Sequence, residues 1–250
     1  MSSLSSDITV TPQDLFSQIS NVSTTVPYNT GTPQLGVRAV TGDGREFRYV
    51  QAGATALVVG KLYSTAAQVT NHHRLVTAAA AIGATSLTVT LGGTAATLNQ
   101  YLGGWAIVET DSGGTPGYQY QIASNPAQAT TTGTLVLTLA DPVFVAISSS
   151  ATVTLIPNPY SGVIISAASA TGAPVGGAIF PVTASYYGWV QVKGAATILS
   201  DGAITVGVAA VKSGSVAGAV AALSSTLAPV GVALETTVDT DYGAFLMQLD

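Results

Sequence analysis

Four short stretches limit what this chain can become. "TSLTVTL" alternates Leu87, Val89 and Leu91 with Ser and Thr, and "YQYQIA" alternates around Tyr118, Tyr120 and Ile122. "TLVLTL" sets Leu135, Leu137 and Leu139 on one side, and "ATVTLI" repeats the device. A period of two puts apolar residues on one face of a strand and Thr or Ser on the other. Between these stretches lie "DSGGTPG", "SNPAQATTTG", "ADP" and "PNPYSG", clusters of the residues that terminate strands and build turns. "TGDGRE" at Asp43-Gly44 and "SDGA" at Asp201-Gly202 hold the pair suited to tight hairpin turns. Short strands at such spacing predict an all-β chain of small β-barrels or β-sandwiches. "AAAAIGA" (78–84) is the one helix-compatible run in this part of the chain, and Gly83 interrupts it.

The first 50 residues read differently. In "TPQDLFSQIS", Thr11 stands at a helix N-cap, Pro12 at the first helical position and Asp14 three residues after the cap, in the place of the usual Glu. Leu15, Phe16 and Ile19 then share one face. A helix of about two turns does not persist alone, so it needs a surface to dock on. "NVSTTVPYNTGTPQLGV" follows with no helical period. The expected organisation is an extended N-terminal arm with a short docking helix over 1–50, a β-domain over 51–157 that is consecutive or inserted, and a second β-domain over 158–250. Residues 51–75 are open to pairing with the C-terminal half.

Charge narrows the function classes. Charged residues are 8% of the 250, against roughly 25% in an ordinary soluble domain, and none occurs between Asp141 and Lys193. Interfaces are depleted in Lys and Glu, so much of the surface is expected to face other protein. A net charge of −5, with "GREFRYV" as the single basic cluster, argues against nucleic acid, which needs basic patches. With 47% hydrophobic residues the chain is not of the disordered type, and no run approaches the ~20 apolar residues of a membrane span. "MSSLSSDITV" shows no secretory leader. Zero cysteines exclude disulfides and thiolate metal sites.

Chemistry is sparse. His72-His73 are neighbours, which point to opposite faces of a strand and lack a third ligand. No G-x-S-x-G elbow is present. Glu109 and Asp111 can share a strand face but run into a turn, the pattern of a solvated strand end, and Asp239 with Asp241 lack the ligand-rich loop of a calcium site. No glycine run resembles a phosphate loop. The reading is of a protein without catalytic residues, cofactor or metal.

"SYYGWVQVKGAA" (185–196) carries the densest aromatics. Trp189, Gln191 and Lys193 share one strand face, and Val190 and Val192 the other. A valine core leaves Trp189 on the outer face with Tyr186 and Tyr187 at the strand entry, an arrangement enriched at interfaces; the reversed register makes Trp189 a core residue. Candidate interface residues are therefore Leu15, Phe16, Ile19, Tyr186, Tyr187 and Trp189.

"GGAIFPVTASYYGWVQVKGAATILSDGAITVGVAAVKSGSVAGAVA" and "PVGVALETTVDTDYGAFLMQL" resemble the capsid decoration, or cement, proteins of tailed bacteriophages. The shared pattern is a G-x-V-x-V-x-G strand (Gly188, Val190, Val192, Gly194), a D-G turn (Asp201-Gly202) and a late V-G-x-A-L (Val230 to Leu234). The middle segment is similar to a β-domain that accompanies such modules in some phage structural proteins. The resemblance spans residues 40–250 and implies small β-barrels that bind the outside of an expanded icosahedral capsid, often as homotrimers, and clamp neighbouring capsomers. The implied partner is the major capsid protein and the implied location the capsid exterior of the virion, after synthesis in the host cytoplasm. A tail, baseplate or head-fibre protein is the first alternative. An ice- or polysaccharide-binding β-protein is the second, suggested by Thr-rich strands that follow no constant period.

Overall fold

A computed structural model describes residues 8–17, 34–114, 116–169, 171–223 and 227–250. The first segments form β1 (Ile8–Val10), α1 (Pro12–Ser17), β2 (Arg38–Thr41), β3 (Glu46–Gln51) and β4 (Leu62–Ser64). The middle forms β5 (Leu75–Val76), β6 (Ser86–Thr90), β7 (Trp105–Thr110), β8 (Gln119–Ser124), β9 (Thr134–Leu139) and β10 (Thr152–Ile156). The remainder forms β11 (Ile164–Ile165), β12 (Pro174–Ala178), β13 (Tyr187–Ser200), β14 (Ala209–Lys212), β15 (Ala219–Ala222), β16 (Pro229–Ala233) and β17 (Tyr242–Gln248). The chain is all-β in two compact units: Met1–Ala67 with Pro159–Asp250, and Gln68–Asn158 inserted between them.

The inserted unit is a ring of antiparallel strands in the order β5-β10-β7-β8-β9-β6. A bridge from Thr77 to Val89 returns β5 to β6 and closes it. Closure removes the free edges that would otherwise template aggregation. The alternation legible in the sequence is the alternation of burial: β9 runs exposed–buried through all six residues, with Leu135, Leu137 and Leu139 inside. Leu87, Val89, Tyr120, Ile122, Val153 and Leu155 share that interior. Thr154 is buried too, because its hydroxyl donates to Glu109 Oε1 (2.7 Å) and accepts from the Arg74 amide (2.9 Å).

The other unit is organised by β13, a 14-residue strand with two partners along each edge. One edge pairs with β3 up to Lys193 and then with β17; the other pairs with β12 and then with β15. The C-terminal half of β13 therefore belongs to a closed ring, β13-β15-β14-β16-β17, filled by Ile198, Ala210, Val220, Val230, Phe245 and Met247. The N-terminal half belongs to a second ring with β12, β4, β11 and β3. A parallel bridge from Ala52 to Val163 closes it, with Gly53 N donating to Val163 O at 2.9 Å and Val163 N to Gln51 O at 2.8 Å. At the change of partner β13 bulges between Gln191 and Lys193, and the buried Gln191 amide donates to Lys193 O and Ala195 O at 3.0 and 2.9 Å. Gly194 follows at φ +89°, where a Cβ would lie 2.8 Å from Arg45 Cγ; a side chain there would meet both strain and collision.

These pairings decide between the alternatives that the sequence left open: Ala52 pairs with Val163 and β4 with β11 and β12, so this stretch joins the C-terminal half, the middle unit is inserted, and the first boundary lies at Ala67/Gln68 and not at residue 51. Residues 38–51 are not arm either; they are the β2–β3 hairpin, joined to β13. The second boundary lies at Asn158/Pro159.

Candidate assembly surfaces

The N-cap of α1 forms as a reciprocal pair: Thr11 N donates to Asp14 Oδ2 (2.9 Å) and Asp14 N to Thr11 Oγ1 (3.2 Å). This orients a six-residue helix so that Leu15 is fully buried while Gln13 and Asp14 face outward. Leu15 sits on its own chain, in a cluster with Ala39, Phe47, Tyr49 and Trp189 that Leu35, Val37, Ile179, Phe180 and Tyr187 flank. Tyr49 meets Trp189 edge-on at 5.0 Å and stacks with Tyr187 at 6.0 Å.

Of the six candidate interface residues, Leu15 and Trp189 are thus brought together at 0% exposure inside one chain. Trp189 is thus the core residue that the reversed register allowed, and the reading of both residues as outer-surface groups is corrected: α1 covers the Trp face of β13, so both faces of that strand are dry from Gly188 to Val192. Gln191, expected beside Trp189 in solvent, is buried as well. Among the described residues, the indole Nε1 of Trp189 has no acceptor. Tyr187 is half-buried at the edge of the cluster, and Tyr186 keeps 36% of its surface. The Phe16 side chain and Ile19 lie outside the described residues.

The surface that carries apolar groups outward was not singled out from the sequence. Register partners Ala195, Leu246, Val232 and Ala209 form a row across β13, β17, β16 and β14. Leu234, whose amide donates to Ala244 O, lies beside that row, and so does Leu223, whose amide donates to Ala209 O. Leu246, Leu234 and Leu223 are 36%, 46% and 59% exposed. No charged residue occurs from Ser213 to Leu234 or from Tyr242 to Leu249. The available signal was the length of these charge-free runs, which exceeds what one buried strand face requires. In the inserted unit, the hydrogen-bonded loops around Gly83 and Val143 expose Ile82 and Phe144.

The polar candidates are held in local structure. His72 is buried: its Nε2–H donates to Thr94 O (2.8 Å) and its Nδ1 accepts from the Tyr101 hydroxyl, so neither nitrogen is left to bind a metal or take a substrate proton. Burial raises the Tyr101 phenol above its usual range. His73 is half-exposed, 3.4 Å from Glu109 Oε1, and Arg74 beside it has φ +53°. Asp111 is not the solvated strand end expected. It is 8% exposed and accepts from the Ser148 hydroxyl, Ser148 N (3.0 Å) and Gly113 N (3.1 Å), bonds that hold its carboxyl below the usual range. Asp239 Oδ1 accepts from Gly202 N (2.7 Å), fastening the Asp201-Gly202 turn. Among the described residues, no group of three His, Asp or Glu could hold a metal, and no helix is long and apolar enough to cross a membrane.

A cleft of about 740 Å³ opens where β3 and β17 part, between Asp43, Arg45, Lys193, Leu246 and Gln248. Its cations are engaged: Arg45 Nε with Asp43 at 2.8 Å, and Lys193 Nζ with Glu46 at 3.0 Å. Glu46 is buried and also accepts from Arg38 Nε at 2.8 Å, tying β2, β3 and β13 together. The Arg38 hydrogen bond, then that of Lys193, lowers its carboxyl from 4.5 to about 2. A depressed folded-state pKa contributes stability above pH 4.5 that is lost as pH falls toward 2. In melting curves from pH 7 to pH 2, the wild-type advantage over Glu46→Gln should be full at neutral pH, shrink below pH 4.5 and vanish near pH 2. A difference constant with pH would show that Glu46 contributes through packing alone.

No protein-family model, curated protein or solved structure matches the chain.

Proposed function

We propose that this is a non-enzymatic structural protein of a tailed-phage virion, which binds the outside of an expanded icosahedral capsid and bridges neighbouring subunits of the major capsid protein. The uncharged apolar row Ala195–Leu246–Val232–Ala209, outside a closed ring, is the observation that carries this reading. Contiguous apolar surface of this kind marks interaction sites. Closed rings suit the role, since they present side chains and not unpaired backbone. Covering apolar area is worth about 25 cal/mol per Å², and repeated copies multiply a modest contact. The sequence resemblance to cement proteins supplies the capsid as partner and a homotrimer as the expected assembly.

Co-sedimentation with expanded heads stripped of their own decoration, against unexpanded shells, tests this. Saturable binding to expanded shells alone is expected; binding to neither would remove the reading. In the same assay, Leu234→Asn with Leu246→Asn should weaken binding by more than tenfold, because each covered leucine is worth about 1.5–3 kcal/mol. The melting temperature should fall by less than for a core leucine, since Leu234 and Leu246 keep 46% and 36% of their surface, and circular dichroism of the double variant should show the native fold. Unchanged binding would clear this wall of a role.

A further inference from the structure

We infer that the β1–α1 segment is an exchangeable element: residues 8–17 of one copy seat on β2 and the Trp189 cluster of a second copy of this chain. Three observations combine. First, β1 pairs with β2 in parallel, Ile8 with Ala39 and Val10 with Thr41, and among the described residues it has no neighbour on its other side. Parallel neighbours cannot be joined by a tight turn and need a long connection. That connection includes residues 18–33, which contain no charged residue and can span up to about 55 Å when extended. Second, what the segment docks on belongs to a fold complete without it. Phe47, Tyr49 and Trp189 stand on β3 and β13, whose rings close through other strands. Third, the contact is compact and self-contained: the Thr11–Asp14 cap is satisfied within the helix, and Leu15 is the described side chain that fills the cluster.

A segment with these properties makes the same contacts in either chain. Cis and trans seating then differ mainly through the connection, that is, through effective concentration. Trans seating wins where copies are crowded, and successive exchanges close into a ring when the rotation between copies permits. The partner is thereby fixed chemically: a second copy, recognised by a parallel strand pairing and one leucine in an aromatic seat. Exchange would stand whether or not the protein binds shells.

The chain has no cysteine, so an introduced pair reports cleanly. Thr9 and Val40 are register partners, and adjacent strands lie about 5 Å apart, within the Cα separation a disulfide spans. Thr9→Cys with Val40→Cys, oxidised at protein concentrations from about 1 to 500 μM and run on non-reducing gels, should give interchain dimers and higher species whose share rises with concentration. Intrachain product alone at every concentration would overturn the inference. If the double variant fails to fold or to oxidise, native mass spectrometry of the wild type decides. Mixed isotope-labelled and unlabelled chains should form mixed oligomers that disappear when residues 1–17 are deleted, and oligomers indifferent to that deletion, or a wild type that stays monomeric, would overturn it. Shell binding without exchange would leave the capsid reading intact, and exchange without shell binding would remove only that reading.

Discussion

Trp189→Ala should destabilise the unit that contains β13 by about 3–5 kcal/mol, the range for deleting a large buried aromatic. The indole is fully buried, with Tyr49 at 5.0 Å edge-on and Leu15 and Phe47 in the same cluster. Alanine would open a cavity under α1 that a six-residue helix is too short to collapse into. Trp189→Phe should cost no more than about 1.5 kcal/mol. Phenylalanine keeps most of the volume and removes an indole N–H that has no acceptor among the described residues, so the change gives up no hydrogen bond seen there. Leu15→Ala combined with Trp189→Ala should cost less than the sum of the two, because neighbours in one cluster share a cavity. Urea unfolding followed by circular dichroism, on the wild type and on Trp189→Ala, Trp189→Phe, Leu15→Ala and the double variant, measures these differences. A Trp189→Ala protein of unchanged stability but altered oligomeric state would return Trp189 to the surface role expected from its sequence.

That expectation failed for a physical reason. Alternation identifies the core face of a strand only when the other face is wet. β9 meets the condition, and "TLVLTL" shows its burial residue by residue. β13 does not: Val190 faces the interior of a ring, while Trp189 on the opposite face is covered by α1. The cover comes from a segment far away in the chain, so no local period in "GWVQVKG" records it. The same non-locality hid the first domain boundary. Nothing near Ala52 indicates that its partner is Val163, on the far side of an inserted unit. The α1 N-cap, by contrast, is a purely local device, and Thr11 and Asp14 make the bonds their spacing predicts. Scarcity of charge was plain in the composition, but composition cannot say which apolar groups face outward. Leu246 and Met247 are adjacent in "GAFLMQL", one 36% exposed and one buried, and only the pairing of β17 with β13 and β16 separates their roles.

Gly231→Ala should cause the largest loss from a single added methyl group. Gly231 lies in β16 opposite Met247 of β17, and a Cβ built on it would sit 2.0 Å from the carbonyl oxygen of Leu246 and 3.0 Å from the Met247 Cα. A flexible side chain could rotate away, but these atoms are backbone, so β16 must part from β17. The glycine is therefore required by close approach of two strands. Overpacking a core commonly costs about 1–3 kcal/mol; here the cost should reach or exceed the top of that range, because parting these strands also opens the ring at β16–β17. Amide hydrogen exchange locates the damage. Protection should fall in β16 and β17, at Val232, Ala233 and Phe245, while β6 to β9 of the inserted unit, with its separate core, keep theirs. Gly42→Ala is the matched control, since a Cβ there meets nothing within 4 Å, and its stability should stay within about 0.5 kcal/mol of wild type. Equal tolerance at both positions would mean that the ring does not depend on this approach.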